Sequence, residues 1–496
     1  TDAGDTDCTD GKLYSTTRTL SLAGDNILAY RFYAKDGIDT AIGEPTSDHS
    51  VTVVDALKVR PAGGSGWYST IQSAIDAIDG AHTVLVDEGT YNEDVLFEYG
   101  SDDSNTTLRS VCGPDTTIIS GSGSSTVVTF SRYSNSQIDG FQVTGGTTGI
   151  YVTGDNSQAT INNCKIHGNG SLNSGGISVE NSVLTLTNSE IYNNSSDRGG
   201  GVRIWRGSGH TINNTIIRNN TVVGDGAGTD GGGGILLSQI FSGGITISNS
   251  VIRDNVSDKP GGGLLVTQVP YSTGAGLTVI DSIISGNTSE SWGGGVYINQ
   301  SKIDFARSSI TDNTTDTLGG AIATPSAGNT ISFENCIVAD NQAKQAGMAK
   351  LNGGTLNIIN SVIANNRATE HSGAIYNQLA TITIRNSILW GNRAGTVGHF
   401  AHFNGGSITI TDSIIQNDDD GDFTDEPFFT DGGTTTASGF TSEDDPWFVG
   451  GGDYHILAPS PAIDNASATY APADDIDSQS RPQGAGDDIG ADELYP

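Results

Sequence analysis

The chain has 496 residues, 68 of them glycine, with 23 Lys plus Arg against 57 Asp plus Glu and a net charge of −34. That imbalance repels nucleic-acid phosphates and anionic lipid, so neither is an expected partner, while it favours divalent cations and keeps a large particle soluble. No run of about 18 apolar residues is present, so no membrane-inserted helix is expected.

Residues 1–57 read as a small β module. Ile27–Ala34 and Ser50–Val54 are strand runs joined by a Gly/Pro turn region. The chain starts at Thr1 without a signal peptide, which reads as a processed or trimmed product of a longer precursor. Further on, Thr70–Ile78 carries apolar residues at Ile71, Ala74, Ile75 and Ile78, which is helix spacing, with Thr70 as the N-cap. We place this helix as a cap over a first coil, followed by a strand at Thr83–Val86 and a turn at Glu88–Tyr91.

From there a phrase repeats. Asn188-Ser-Glu-Ile-Tyr-Asn-Asn194 recurs as Asn249-Ser-Val-Ile-Arg-Asp-Asn255, Asn360-Ser-Val-Ile-Ala-Asn-Asn366 and Asn386-Ser-Ile-Leu-Trp-Gly-Asn392. Its last position falls at Asn169, Asn194, Asn220, Asn255, Asn287, Asn313, Asn341, Asn366, Asn392 and Asp418, with gaps of 25, 26, 35, 32, 26, 28, 25, 26 and 26 residues. A period this regular marks a solenoid, in which each repeat covers the apolar face of its neighbour. Between the phrases, runs such as Leu184-Thr-Leu186, Ile245-Thr-Ile247 and Ile382-Thr-Ile384 alternate with period two. The fold class is therefore all-β, a right-handed parallel β-helix with three short strands and three turns per coil. The asparagines are expected to stack coil on coil and to satisfy turn backbone that would otherwise be buried unpaired. A glycine column, including Gly199–Gly201, Gly231–Gly234, Gly261–Gly263 and Gly293–Gly295, marks turns that need positive φ or close coil-to-coil approach.

Three regions follow: a partial β module at 1–57, the capped β-helix at 58–417, and an acidic, Gly/Pro-rich capping region at 418–496. Cys164 and Cys336 both occupy the serine slot of the phrase, six coils apart. At ~4.8 Å per coil they lie roughly 29 Å apart, beyond bonding reach, and read as buried thiols. Cys8 and Cys112 fall outside the ladder and are the candidate disulfide pair.

Candidate chemistry is sparse. The period stretches at 221–234 and 268–276, near Arg203, Trp205, Arg206, His210, Lys259, Tyr271 and Trp292. Aromatic and basic side chains around such a bump can grip an acidic sugar; the alternative is ordinary solvent-facing residues beside tolerated insertions. Three acidic loops offer several oxygens each: Asp5, Asp7 and Asp10; Asp418, Asp420 and Asp422; Asp475 and Asp477. Each is a candidate structural calcium site or a solvated turn, since hard cations want six to eight oxygens and none has EF-hand spacing.

The repeat phrases resemble the secreted right-handed β-helix proteins of the pectate-lyase-like superfamily. Gly319-Gly-Ala-Ile322 and Phe333-Glu-Asn335 are similar to the repeats of polymorphic outer-membrane adhesins. Tyr68–Ile71 through Asp87–Tyr91, and Asp453–Ile456, Ser460–Asp464, Arg481-Pro482 and Asp488-Ile-Gly-Ala491, resemble the two ends of prokaryotic surface β-helix proteins. Asp10-Gly11, Tyr30–Phe32, Asp36-Gly37 and Gly43–Thr46 resemble the second half of an immunoglobulin-like module. Half a sandwich leaves strand edges open, which implies cover from the β-helix or from a neighbouring subunit. The motifs of polygalacturonases and alginate epimerases are not found. We expect a noncatalytic extracellular structural or adhesive protein, a surface filament subunit that self-associates through residues 1–57 and requires no cofactor. The alternative is a polysaccharide lyase, hydrolase or binding module for acidic glycans.

Overall fold

The computed structural model describes residues 38–43, 47–52, 59–61, 68–77 and 82–494, apart from 99–104, 132–133, 156, 172–174, 225–230, 242, 271–273, 396–399, 404, 417–427, 432 and 443. The strand run at Ile27–Ala34, Cys8 and Ile78 lie outside these residues, as do the acidic groups Asp5, Asp7, Asp10 and Asp418, Asp420, Asp422. The chain winds as a right-handed parallel β-helix of about 12 turns with almost no helix.

One repeat shows how each coil is made. Val183–Thr187 forms the first face, Glu190–Tyr192 the second, Ser195–Ser196 a short third and Val202–Trp205 the fourth, after which His210–Asn213 starts the next coil. Each coil thus has four strands where the alternation predicts three. The extra strand is two residues long, too short for any periodicity, yet Ser195 and Ser196 still pair in register with Thr221 and Val222. The fourth face stacks thirteen strands, from Val95–Phe97 to Phe428–Asp431, and the short third ladder stacks eight. The first and second faces merge because Ser407–Ile415 runs through both. Gly89–Tyr91, read from sequence as a turn, is a strand of the second face paired with Thr117–Ser120.

Inward residues alternate along every long strand and form one continuous core. Inside it, Phe305 stacks on Phe333 with ring centres 4.9 Å apart, and Phe97 on Phe130 at 4.7 Å. At the N-terminal end, helix α1 (Ile71–Asp76) buries Ile71, Ala74 and Ile75, and Thr70 caps it by accepting from the Ser73 amide. The Glu93 carboxylate adds a cap from outside the helix, accepting from the Ile71 and Gln72 amides at 2.8 and 2.9 Å. Val59–Pro61 pairs antiparallel with Thr83–Val86 and closes that sheet edge.

The repeated phrase resolves into four jobs. Its first residue takes the left-handed conformation, with φ of 52° at Asn188, 48° at Asn249 and 42° at Asn360. Asparagine tolerates that region better than any branched residue. The serine turns inward: Ser250 Oγ accepts from the Thr215 amide at 3.2 Å and donates to the Ser248 carbonyl at 2.7 Å. Ser282 and Ser308 continue the same chain of bonds coil by coil. The isoleucine enters the core. The sixth residue is left-handed again, and the seventh is the ladder asparagine.

Nine of these asparagines, Asn169 to Asn392, are at most 3% exposed. Asn287 is representative: its side-chain amide donates to Asn313 Oδ1 at 2.9 Å and to the Ile252 carbonyl at 2.9 Å. Its own Oδ1 accepts both the backbone and side-chain amides of Asn255, each at 3.0 Å. Every polar atom of the side chain is used, which is why asparagine and not aspartate or serine fills the column. Asp418, the tenth position, lies outside the described residues. Because these amides are buried and bonded, the Asn-x-Ser/Thr triplets starting at Asn255 and Asn287 offer no acceptor for a glycan.

Glycine serves both expected purposes, at different positions of one turn. Gly261 and Gly293 have φ of 76° and 71°. At Gly262 a Cβ would stand 2.4 Å from the Gly294 carbonyl oxygen of the next coil, so no side chain fits. Cys164 and Cys336 are buried free thiols, both pushed up to about 12 by burial. Cys112 is disulfide-bonded.

After the last coil the chain folds back along the second face. Tyr454, Ile456, Ala462, Ile489 and Ala491 bury the outward side chains of Val362, Ile388 and Ile414. Arg481 and Glu493 hold this C-terminal segment together as an ion pair of 2.8 Å whose side chains are 0% and 1% exposed.

Candidate functional site

The thirteen-strand face carries most of the residues singled out by sequence. Pairing aligns Tyr151, Ser178, Arg203 and Leu236 in one outward column, which continues as Leu265, Tyr297, Ala323, Lys350 and Tyr376.

At the N-terminal end of this column a carboxylate holds two neighbours. Glu180 accepts from the Tyr151 hydroxyl at 2.9 Å and from Arg203 Nη1 at 2.6 Å, and Arg203 also donates to Ser178 Oγ at 3.3 Å. Burial, together with the bonded Glu180, holds the Tyr151 hydroxyl above its ordinary range. Beside them the Arg206 guanidinium lies 4.2 Å over the Trp205 ring and donates to Gln239 at 3.0 Å. Arg203, Trp205 and Arg206 therefore do come together, but each cation is already engaged within the chain.

The other candidates separate from them. His210 is 1% exposed and points into the solenoid, since it shares the inward parity of Ile212. The Leu184 amide donates to its Nδ1 at 3.2 Å, so its Nε2 carries the proton and donates to the Arg206 carbonyl at 3.2 Å. Burial pushes its pKa down to about 4. It is a structural imidazole and cannot reach a sugar. Lys259 and Trp292 sit at the opposite edge of the face, Trp292 packed against Tyr297 with ring centres 6.4 Å apart. Tyr271 lies outside the described residues. Leu236, Leu265, Tyr297 and Ala323 fill the space between the two edges with a buried apolar strip.

A residue that the sequence reading passed over stands at the far end of the column. Lys350 is 4% exposed, and its ammonium donates to Asn352 Oδ1 at 2.6 Å and Gln378 Oε1 at 3.2 Å, 4.0 Å from the centre of the Tyr376 ring. No carboxylate pairs with it among the described residues, and burial pushes its pKa down to about 8. Alignment of Ala349-Lys350-Leu351 with Val296-Tyr297-Ile298 would have revealed a lysine at an outward position whose neighbours from Leu236 to Tyr376 are otherwise apolar or aromatic.

The acidic loop at 474–477 divides. Asp475 is fully buried and its carboxylate accepts the amides of Asp477, Gln479 and Glu493 at 2.9, 2.8 and 3.2 Å, so it closes a turn and holds no free oxygen pair for calcium. Asp477 instead meets His455 Nε2 at 2.9 Å. With Asp492 they offer donor atoms within 4.8 Å of one another, a set able to hold a divalent cation with mixed nitrogen and oxygen ligands. Burial lowers the His455 pKa, but Asp453, Asp492 and Asp477 outweigh it and hold the ring above its ordinary value.

Residues 101–314 match the family model described as a right-handed beta helix region, so this segment is a right-handed β-helix by sequence as well as by structure. No curated protein matches the chain. Among solved structures, the A-module of the mannuronan C-5 epimerase AlgE6 of Azotobacter vinelandii is 17% identical, over 76% of this chain and 95% of that one, with a TM-score of 0.33. A complex of the alginate lyase AlyF-OU02 with G6 is 12% identical, over 75% and 83%, with a TM-score of 0.22. Superpositions this loose transfer neither residues nor chemistry. No helix among the described residues is long and apolar enough to cross a membrane.

Proposed function

We propose that the protein is a noncatalytic extracellular rod, structural or adhesive, that assembles with copies of itself through its N-terminal segment. The observation that carries this reading is the hairpin of Ile38–Gly43 and Ser47–Thr52. Its strands pair antiparallel from Ile38 with Thr52 to Gly43 with Ser47, and among the described residues neither pairs with anything else. A two-stranded hairpin is marginal alone, and its open edges are templates for strand addition. The nine-asparagine ladder supplies the stiff body that such a subunit needs. Removing residues 1–57, with Cys112→Ser to avoid an unpaired thiol, should leave a folded monomer in sedimentation velocity, whereas the full chain forms large species. Polymers from the truncated chain would refute this route of assembly.

A second reading, binding of an acidic glycan along the thirteen-strand face, is favoured by Lys350. A buried ammonium whose partners among the described residues are neutral oxygens and a ring has charge left for a carboxylate. Uronate oligomers should then bind more weakly as pH rises through about 8, where Lys350 loses its proton while the sugar acids stay ionised. Calorimetry should show about tenfold weaker binding to Lys350→Met, a loss of about 1.4 kcal/mol. Equal affinity in the variant and no change above pH 8 would remove this reading.

A further inference from the structure

We propose that His455, Asp477 and Asp492 bind one divalent transition-metal ion, which fastens three stretches of the C-terminal segment to one another. The site does not depend on self-association.

Local structure brings the three residues together. Along Asp453–Ile456 the side chains alternate, with Tyr454 and Ile456 buried against the coils, so Asp453 and His455 face outward. The Asp475 carboxylate ties two further stretches, since one oxygen accepts the Asp477 amide at 2.9 Å and the other the Glu493 amide at 3.2 Å. The Ile476 amide adds a bond to the Ala491 carbonyl at 2.9 Å. These bonds set Asp477 beside Asp492. The Ile456 amide donates to Asp492 Oδ2 at 3.0 Å and so brings the His455 strand to the same place. The three side chains meet with their donor atoms within 4.8 Å of one another.

Two features of this meeting point call for a cation. The first is the imidazole. His455 Nδ1 lies 2.5 Å from Asp453 Oδ1, which also accepts the His455 amide at 3.1 Å. A carboxylate only accepts, so Nδ1 carries a proton and the ring is fixed in place. A carboxylate on that nitrogen is the common support of a metal-bound histidine. In the neutral ring Nε2 then faces Asp477 Oδ2 at 2.9 Å, lone pair toward lone pair. Only a proton or a metal ion between them makes that contact favourable. Two ligand atoms at about 2.1 Å from one ion and at right angles lie about 3.0 Å apart, close to this spacing.

The second feature is Asp492. It is 7% exposed, and among the described residues its Oδ1 accepts no hydrogen bond and no lysine or arginine pairs with it. Arg481 is engaged by Glu493. Burying a carboxylate without a counter-charge is unfavourable. With Asp453 and Asp477 it places three carboxylates around one imidazole, so even a protonated ring leaves the group negative.

The donor set selects the metal. One imidazole nitrogen with carboxylate oxygens suits zinc and its first-row neighbours, whereas calcium takes six to eight oxygens. Asp475, the other buried carboxylate of this loop, is engaged by backbone amides and adds no ligand. The His455 and Asp477 side chains are 35% and 48% exposed, so an ion enters from solvent and water completes its shell.

The test is calorimetric titration of the full chain, stripped of metal by a chelator, with zinc chloride. Saturable binding is expected, and calcium in excess should not displace the zinc. Asp477→Asn, at an exposed position, and Asp492→Asn, which keeps an acceptor for the Ile456 amide, should each weaken binding by at least about tenfold. Asp453→Asn should weaken it by about 10–100-fold, because the ring loses its support. Zinc should also slow proteolysis within 444–494 in the wild type and not in His455→Gln. Zinc affinity unchanged in all three aspartate variants overturns the site. Absence of saturable binding to the wild type overturns it as well and leaves a proton between His455 and Asp477. Displacement of zinc by calcium overturns the assignment of a nitrogen ligand.

Discussion

Asn313→Leu is expected to open the solenoid in its middle. Four bonds disappear: from Asn313 Nδ2 to the Ile284 carbonyl at 2.9 Å and to Asn341 Oδ1 at 3.0 Å, and to Asn313 Oδ1 from the two amides of Asn287 at 3.0 and 2.9 Å. Leucine fills the space but cannot satisfy the backbone groups left behind. Asn287 and Asn313 are both 0% exposed, so water does not replace the missing partners. Orphaned buried groups cost about 1–3 kcal/mol each, which puts the loss at roughly 3–6 kcal/mol. A solenoid is stabilised by nearest neighbours, so the damage should be local. Hydrogen exchange should show protection lost between about residues 284 and 341 and kept in the terminal coils. Asn214→Gly, at an exposed left-handed position, should change stability by less than about 1 kcal/mol. Equal effects of the two substitutions would mean that the ladder is a by-product of packing.

Arg481→Met should release the C-terminal segment while leaving the coils wound. The guanidinium donates to Glu493 at 2.8 Å and to the carbonyls of Asp488, Gly490 and Asp492 at 2.9, 2.9 and 3.2 Å, all buried. Methionine leaves the Glu493 carboxylate uncompensated and three carbonyls unpaired. Breaking a buried pair by removing one partner costs about 3–5 kcal/mol. That loss falls on a segment that otherwise holds to the coils through the apolar contact of Tyr454, Ile456, Ala462, Ile489 and Ala491. Limited proteolysis should therefore cut within 444–494 at once and stop at the solenoid, and Val362, Ile388 and Ile414 should become accessible to an apolar dye. An unchanged digestion pattern would show that apolar contact alone holds the segment.

The architecture was legible because its signals repeat. The spacing from Asn169 to Asn392 gives the coil length, and pairs such as Leu184 and Leu186 give the inward face. Repetition also hid what differs between coils. Asn214 and Asn386 sit in the same phrase with the same backbone, and only a segment about a hundred residues further on makes one buried and the other exposed. Periodicity carries no information about that segment's path. His210 was misplaced for another reason: its neighbours Trp205 and Arg206 suggested a surface cluster, while parity with Ile212 sends it inward. The two-residue strand after each ladder asparagine is too short to alternate, so four strands per coil read as three. Repeat length does not mark Lys350, because its own repeat, Asn341 to Asn366, has the ordinary 25 residues and the stretched repeats lie elsewhere. Spacing groups Asp475 with Asp477 as oxygen donors, but it does not show that the Asp475 carboxylate holds three backbone amides.

On the proposed reading this chain is a stiff subunit that joins to others of its kind. Negative-stain electron microscopy of the full 496-residue chain over rising concentration tests it most directly. Ordered polymers built from rods, growing with concentration and absent when residues 1–57 are removed, are the predicted result. Single short rods at every concentration would contradict the account and leave the glycan reading of the thirteen-strand face to be pursued.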